Sequence, residues 1–211
     1  MKKDDVLLFI GDSITEWGRN GSPEDIGTGY VRLIHDYLVT TYPKQKPVVL
    51  NRGVGGDQIT NLEERWESDV ISLQPSYVSI SIGINDVWSR IDEDEEVQVH
   101  LRRFESIYVD LLNQVKEKTS AKIIIMEPTI IEEDINSKGN QKLLPYVQTI
   151  QKLAEKFDAV YVPTHQAFID YLQSQPDYEL TNDGVHMNPA GNMLMAMTWI
   201  KAFEADMSRG N

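Results

Sequence analysis

Brief apolar runs alternate with longer amphipathic stretches along this chain. Five runs end abruptly at glycine, proline or a polar residue: Val6–Ile10, Pro47–Leu50, Tyr77–Ile82, Lys122–Met126 and Ala159–Val162. Runs this brief fit buried strands better than helices, which need a longer repeat. Between and after them, apolar residues recur three or four positions apart, as an amphipathic helix requires. Residues 30–42 carry Val31, Ile34, Leu38 and Val39; residues 97–118 carry Leu101, Phe104, Ile107, Leu111, Leu112 and Val115. Residues 143–157 carry Val147, Ile150, Leu153 and Ala154, and residues 190–207 carry Leu194, Met197, Ile200 and Phe203. The alternation predicts an α/β fold with a five-stranded parallel sheet covered by helices on both faces and joined by right-handed crossovers. No glycine-serine linker, repeat or composition shift divides residues 1–211, so one domain is expected. The acidic run 92–96 reads as a solvated helix start, and residues 132–140 as a surface loop, with a position at the border of a ligand site left open.

Composition narrows the chemistry. Of 211 residues, 41% are hydrophobic and 25% charged, an ordinary globular balance. There are no cysteines, which removes disulfides, thiol nucleophiles and thiolate metal sites. The four histidines are not clustered as a metal site would need, so no metal is expected. Thirty-three acidic residues against 20 basic give a net charge of −13, which disfavours nucleic acid and anionic membranes as partners. Val6–Ile10 is too short for a leader core or a membrane span. A cytoplasmic protein is the expectation, with a secreted protein whose leader has been removed as the alternative.

In an open parallel sheet, ligands bind beyond the carboxyl ends of the strands. The segments there are Gly11-Asp12-Ser13-Ile14-Thr15, then 51–57 with Gly53, Gly55 and Gly56, then Gly83-Ile84-Asn85-Asp86, and finally Asp183-Gly184-Val185-His186 before the last helix. A serine, a histidine, an aspartate, an asparagine and several glycines thus converge on one edge. Ser13 alone reads first as a turn or helix cap, and Asp183 and His186 read equally as turn and cap residues. Together they supply a nucleophile, a base, a group to orient the base, and oxyanion donors. The glycines fit neither dinucleotide nor P-loop spacing, so no nucleotide cofactor is expected. Ser13 also lacks the nucleophile elbow of the α/β-hydrolases.

The combination resembles the SGNH-hydrolase superfamily, the GDSL esterases and lipases. Its blocks stand here in order as Gly11-Asp12-Ser13-Ile14, Asn51-x-Gly53-x-x-Gly56, Gly83-x-Asn85-Asp86 and Asp183-x-x-His186. The resemblance implies a three-layer α/β/α sandwich of flavodoxin-like topology. It implies Ser13 as nucleophile, His186 as base and Asp183 as its orienter. The Ser13 N–H, the Gly56 N–H and the Asn85 amide would form the oxyanion hole. Within the superfamily, stretches such as residues 7–15, 27–31, 65–71 and 81–88 resemble the intracellular bacterial acetylxylan esterases. That implies a metal-free enzyme, with no cofactor, that removes acetyl groups from a sugar or oligosaccharide. Gly55 departs from that group, where a serine usually precedes the oxyanion glycine, and the departure loosens the substrate assignment more than the reaction.

Trp17, Trp88 and Arg90 follow the site blocks closely and are candidates to line a substrate pocket. No long apolar lid is visible, which speaks against a true lipase. A lysophospholipase or an acyl thioesterase would use the same catalytic residues, and a non-enzymatic binding domain or a flavodoxin-like redox protein could share the layers. The resembled esterases assemble into oligomers, which implies a homo-oligomer. Trp199, Phe203 and Met207 on the closing helix are open to either the core or a subunit contact.

Overall fold

The structure, a computed structural model, describes residues 1–92 and 97–209. Most of the acidic run, residues 93–96, therefore lies outside the described residues. Five strands form one parallel sheet: β1 (Val6–Gly11), β2 (Val48–Gly53), β3 (Tyr77–Ser81), β4 (Lys122–Met126) and β5 (Val160–Val162), in the order β2-β1-β3-β4-β5. Among the described residues eight α-helices accompany them: α1 (Ser13–Glu16), α2 (Tyr30–Thr41), α3 (Ile59–Asp69), α4 (Ile84–Trp88), α5 (Val97–Lys118), α6 (Lys138–Phe157), α7 (Thr164–Gln173) and α8 (Pro189–Arg209). The step from β1 to β2 runs opposite to the later steps. With right-handed crossovers, α2 must cover one face while α3, α5 and α6 cover the other. The packing follows: α2 and α7 lie against α8, and α5 lies against α3 and α6. Among the described residues no helix is long and apolar enough to cross a membrane.

The strands are near-continuous apolar runs because both faces are buried. Leu7, Leu8, Phe9 and Ile10 of β1 are all buried, as are Ile123 to Met126 of β4. Phe9 begins an aromatic column: its ring lies 5.4 Å from Trp199, which stacks on Phe203 at 4.7 Å. Trp199 also donates its indole N–H to Ser79 Oγ at 3.0 Å, deep in the sheet. Trp199 and Phe203 are therefore core residues and are not available for a subunit contact. Met207 is half-buried, against the amino terminus.

Four elements differ from the sequence expectation. β2 continues through Asn51, Arg52 and Gly53, which pair with Phe9, Ile10 and Gly11 of β1. Backbone pairing is indifferent to side-chain polarity, so the polar residues did not end the strand. α6 begins at Lys138, before the expected 143, because Ser137 Oγ accepts the Asn140 N–H at 3.0 Å and caps an extra turn ahead of Pro145. Helices α3 and α7 have no counterpart in the apolar pattern. α3 buries only Ile59, Leu62 and Trp66, and α7 buries Thr164 and His165 beside Phe168.

Candidate active site

Ser13 opens α1 directly beyond β1. Asp12 caps that short helix: its buried Oδ1 accepts the Ile14 N–H at 2.9 Å, so the chain turns sharply and leaves Ser13 partly exposed. Ser13 Oγ lies 2.9 Å from His186 Nε2, across 173 positions of sequence. His186 Nδ1 lies 2.7 Å from Asp183 Oδ2. The other Asp183 oxygen accepts the N–H groups of Val185 at 3.0 Å and His186 at 2.7 Å. Partial burial by itself would raise the Asp183 pKa. The two amides and the imidazole together outweigh it and hold the carboxyl below its ordinary range. An ionised Asp183 keeps a proton on Nδ1 and leaves Nε2 free to accept one from Ser13.

The loop that carries this pair is tied down by a residue the sequence did not single out. The Glu133 carboxylate accepts the Leu180 N–H at 2.8 Å, the Thr181 N–H at 2.7 Å and the Thr181 hydroxyl at 2.5 Å. Next to it, the Glu132 N–H donates to the Gly184 carbonyl at 2.7 Å. Asn188 then caps α8 through the N–H groups of Ala190 and Gly191. The polar segment read as a surface loop thus borders the site.

β1 lies between β2 and β3, so the ends of those two strands flank Ser13. On the β2 side, Asn51 donates to the carbonyls of Thr15 at 2.6 Å and Ile26 at 3.1 Å and accepts the Gly53 N–H at 2.8 Å. Gly53 allows α1 to pack this closely, since a Cβ there would fall 2.2 Å from the Glu16 nitrogen. Gly56 has φ +82°, a left-handed conformation that turns the loop and favours glycine. On the β3 side, buried Asn85 donates one amide hydrogen to the Asp57 carbonyl at 3.1 Å. Its nitrogen carries a second hydrogen that can serve an oxyanion. Arg65 binds the assembly together: it donates to Asp57 Oδ2 at 2.8 Å, to the Arg52 carbonyl at 2.7 Å and to the Gly11 carbonyl at 3.1 Å. The loop is therefore held without a hydroxyl at position 55, where an added Cβ would meet nothing.

Two buried carboxyls lie under the site. Burial pushes Asp12 up to about 7, with Asp86 and Asp57 adding to the rise and the Ile14 amide opposing it. Burial likewise raises Asp86 to about 6, against the Ile59 amide and the charge of Arg90. Folded Asp12 thus retains a proton that the unfolded chain releases near its ordinary value of 3.8. Its contribution to stability is complete below that value and is lost as pH rises through about 7. Asp12→Asn, which keeps the cap, is expected to flatten the fall in stability between about pH 4 and 7 by on the order of a few kcal/mol. Urea unfolding across that range measures the slope, and an unchanged slope would mean that Asp12 is ionised throughout.

The candidate residues fall into three groups. Ser13, His186 and Asp183 are joined by hydrogen bonds. Gly56 and Asn85 stand at the flanking strand ends, connected through Asp57. Trp17 and Trp88 both contact the His186 ring, at 5.7 Å and 5.8 Å between centroids. Arg90 lies in the turn after α4, where its charge acts on Asp86. Among the described residues no group of His, Cys, Asp or Glu is arranged to hold a metal ion.

The chain is similar to known proteins in sequence and in fold. The family model described as the GDSL-like Lipase/Acylhydrolase family matches residues 9–194. An acetylxylan esterase from Geobacillus stearothermophilus is 36% identical over 202 residues, which is 92% of this chain and 92% of that protein. The crystal structure of Axe2, an acetylxylan esterase from the same organism, aligns with a TM-score of 0.86 at 34% identity, over 95% of this chain and 94% of that one. LAE5, an α/β hydrolase enzyme from the metagenome of Lake Arreo, Spain, aligns at 0.85 and 29% identity, over 96% of each chain. Structures of Axe2 with a serine, an aspartate or a histidine changed to alanine are described as catalytic mutants.

Proposed function

Since this chain belongs to the GDSL-like lipase/acylhydrolase family and is a serine-dependent carboxylic ester hydrolase, we propose that Ser13, His186 and Asp183 carry out the removal of acetyl groups from carbohydrate esters. The observation that supports the residue roles most strongly is the hydrogen-bonded line Ser13–His186–Asp183, at 2.9 and 2.7 Å. Ser13 Oγ forms a bond to the ester carbonyl carbon while its proton passes to His186 Nε2. The carbonyl oxygen takes up negative charge, which the N–H groups of Ser13 and Gly56 and the Asn85 amide stabilise. The bond to the alcohol then breaks as Nε2 returns the proton to the leaving oxygen, and the acetyl group stays on Ser13. Water enters, loses a proton to Nε2 and attacks the acyl carbon. The bond between the acyl carbon and Oγ breaks as Nε2 returns its proton to Ser13, which restores the hydroxyl and releases acetic acid. Residues 1–211 act as one domain in this account, and no cofactor takes part.

Charge supports a neutral alcohol half. Glu132, Glu133, Glu179 and Asp183 line a cleft along the catalytic loop. The chain as a whole carries −13. That field disfavours the phosphate of a lysophospholipid or of a coenzyme A thioester and leaves an uncharged sugar unaffected. The similarity to the acetylxylan esterase points the same way. Matched acetyl and octanoyl esters of one phenol, followed by a panel of acetylated xylo-oligosaccharides, test the proposal. The expected result is a steep preference for acetyl, with acetate released from the sugars. A preference for octanoyl, or cleavage of lysophospholipid in place of sugar esters, would overturn it.

A further inference from the structure

Two one-turn helices each bring two groups to this site. α1 begins with Ser13 and is capped four residues later by Trp17; α4 carries Asn85 and ends three residues later at Trp88. Positions three or four apart share a helix side, so a turn that presents a reacting group also presents the indole behind it. The two indoles meet at His186. Trp17 stacks on the imidazole with 24° between the planes, and Trp88 meets it edge-to-face at 74°. Trp17 is braced from behind. Its N–H donates to the Ser13 carbonyl at 3.0 Å, its carbonyl accepts the Thr28 N–H at 3.0 Å, and an added Cβ on Gly29 would come within 3.1 Å of its ring.

We propose that Trp17 and Trp88 are positioning residues of the esterase: together they clamp the His186 ring in the plane that joins Asp183 to Ser13, and Trp17, stacked on that ring, favours the imidazolium formed during acyl transfer. The proposal rests on the catalytic roles given above to Ser13 and His186. The need for a clamp follows from exposure. The His186 side chain is 21% exposed and that of Asp183 48%, so water competes for both. Hydrogen bonds at Nδ1 and Nε2 fix two points of the ring but restrain its rotation about the line between them only weakly. An indole against one face sets that rotation and keeps water off it. A cation over the face of an indole and within about 6 Å of its centroid is attracted by the ring quadrupole, and the stacked Trp17 meets both conditions. The attraction is absent while the imidazole is neutral and develops as Ser13 transfers its proton, so it selects for the transition state. A tryptophan that served only as a sugar platform would have no effect on an ester without a sugar.

The test uses Trp17→Leu and Trp88→Leu beside Trp17→Phe and Trp88→Phe, all checked by thermal melts. Trp88 is 38% exposed, so its variants report even where a change at Trp17 prevents folding. Turnover is measured on p-nitrophenyl acetate and on an acetylated xylo-oligosaccharide, together with the rate of covalent labelling by a fluorophosphonate. Each leucine variant is expected to lower kcat on both esters, and the labelling rate, by about three- to tenfold, leaving KM for p-nitrophenyl acetate unchanged. Each phenylalanine variant should recover most of the loss. A defect confined to KM for the sugar ester, or equal losses with leucine and phenylalanine, would overturn the proposal. Undiminished turnover by Ser13→Ala would instead remove the catalytic assignment on which it rests, so the two failures are distinct.

Discussion

Ser13→Ala is expected to lower kcat for acetyl esters by about 10⁴- to 10⁶-fold, with KM little changed. The substitution removes one oxygen from a partly exposed residue and leaves its backbone, which closes α1, unchanged. Asp12, which caps the turn, is untouched. What disappears is the atom that bonds to the acyl carbon, and no neighbouring group supplies it. The remaining rate comes from the oxyanion donors and from His186 acting directly on water. Steady-state kinetics with a melting curve as the folding control measure the loss, and a fall of less than tenfold would exclude Ser13 as the nucleophile.

Asp183→Asn is expected to lower kcat by about 10³- to 10⁴-fold, with the fold intact because the side chain is half-exposed. The reason is the proton inventory. Asp183 Oδ1 accepts two backbone amides and Oδ2 accepts the imidazole Nδ1–H, so both of its oxygens are acceptors. An asparagine supplies one acceptor and one donor. If its oxygen keeps the amides of Val185 and His186, its NH₂ faces Nδ1 and forces the ring proton onto Nε2. Nε2 then cannot receive the proton of Ser13. If the carboxamide turns over, its NH₂ confronts two backbone donors and the loop loses its anchor. Nitrogen-15 spectra of the imidazole alongside the kinetics separate the two routes. Full activity with the proton on Nε2 would mean that another group orients His186.

How much of this was legible without coordinates differs by element. Helix α5 and strand β4 match the expected limits of 97–118 and 122–126, because a long 3.6-residue period and an unbroken apolar run are strong signals. α3 was missed because Ile59, Leu62 and Trp66 are few, and its cap is formed by Gln58 and Asn61 in place of a serine or threonine. The four blocks of the site stand in the sequence, but their meeting depends on the strand order that puts β1 between β2 and β3. Glu133 gave no signal, since its partners lie 47 and 48 positions away. Arg65 left a partial one, in its i,i+4 pairing with Asp69, but its contacts with the ends of β1 and β2 are tertiary. Trp17 and Trp88 were placed beside the site by their positions. Their contact with the histidine depends on the angle at which two short helices leave the sheet.

The most direct measurement is peptide mapping by mass spectrometry after treatment with a fluorophosphonate, on the native chain and on Ser13→Ala. The account requires one adduct on the peptide containing Ser13, hydrolysis lost in step with its formation, and no adduct in the variant. Equal labelling of the Ser13→Ala chain, or an active native chain that takes up no label at Ser13, would contradict it.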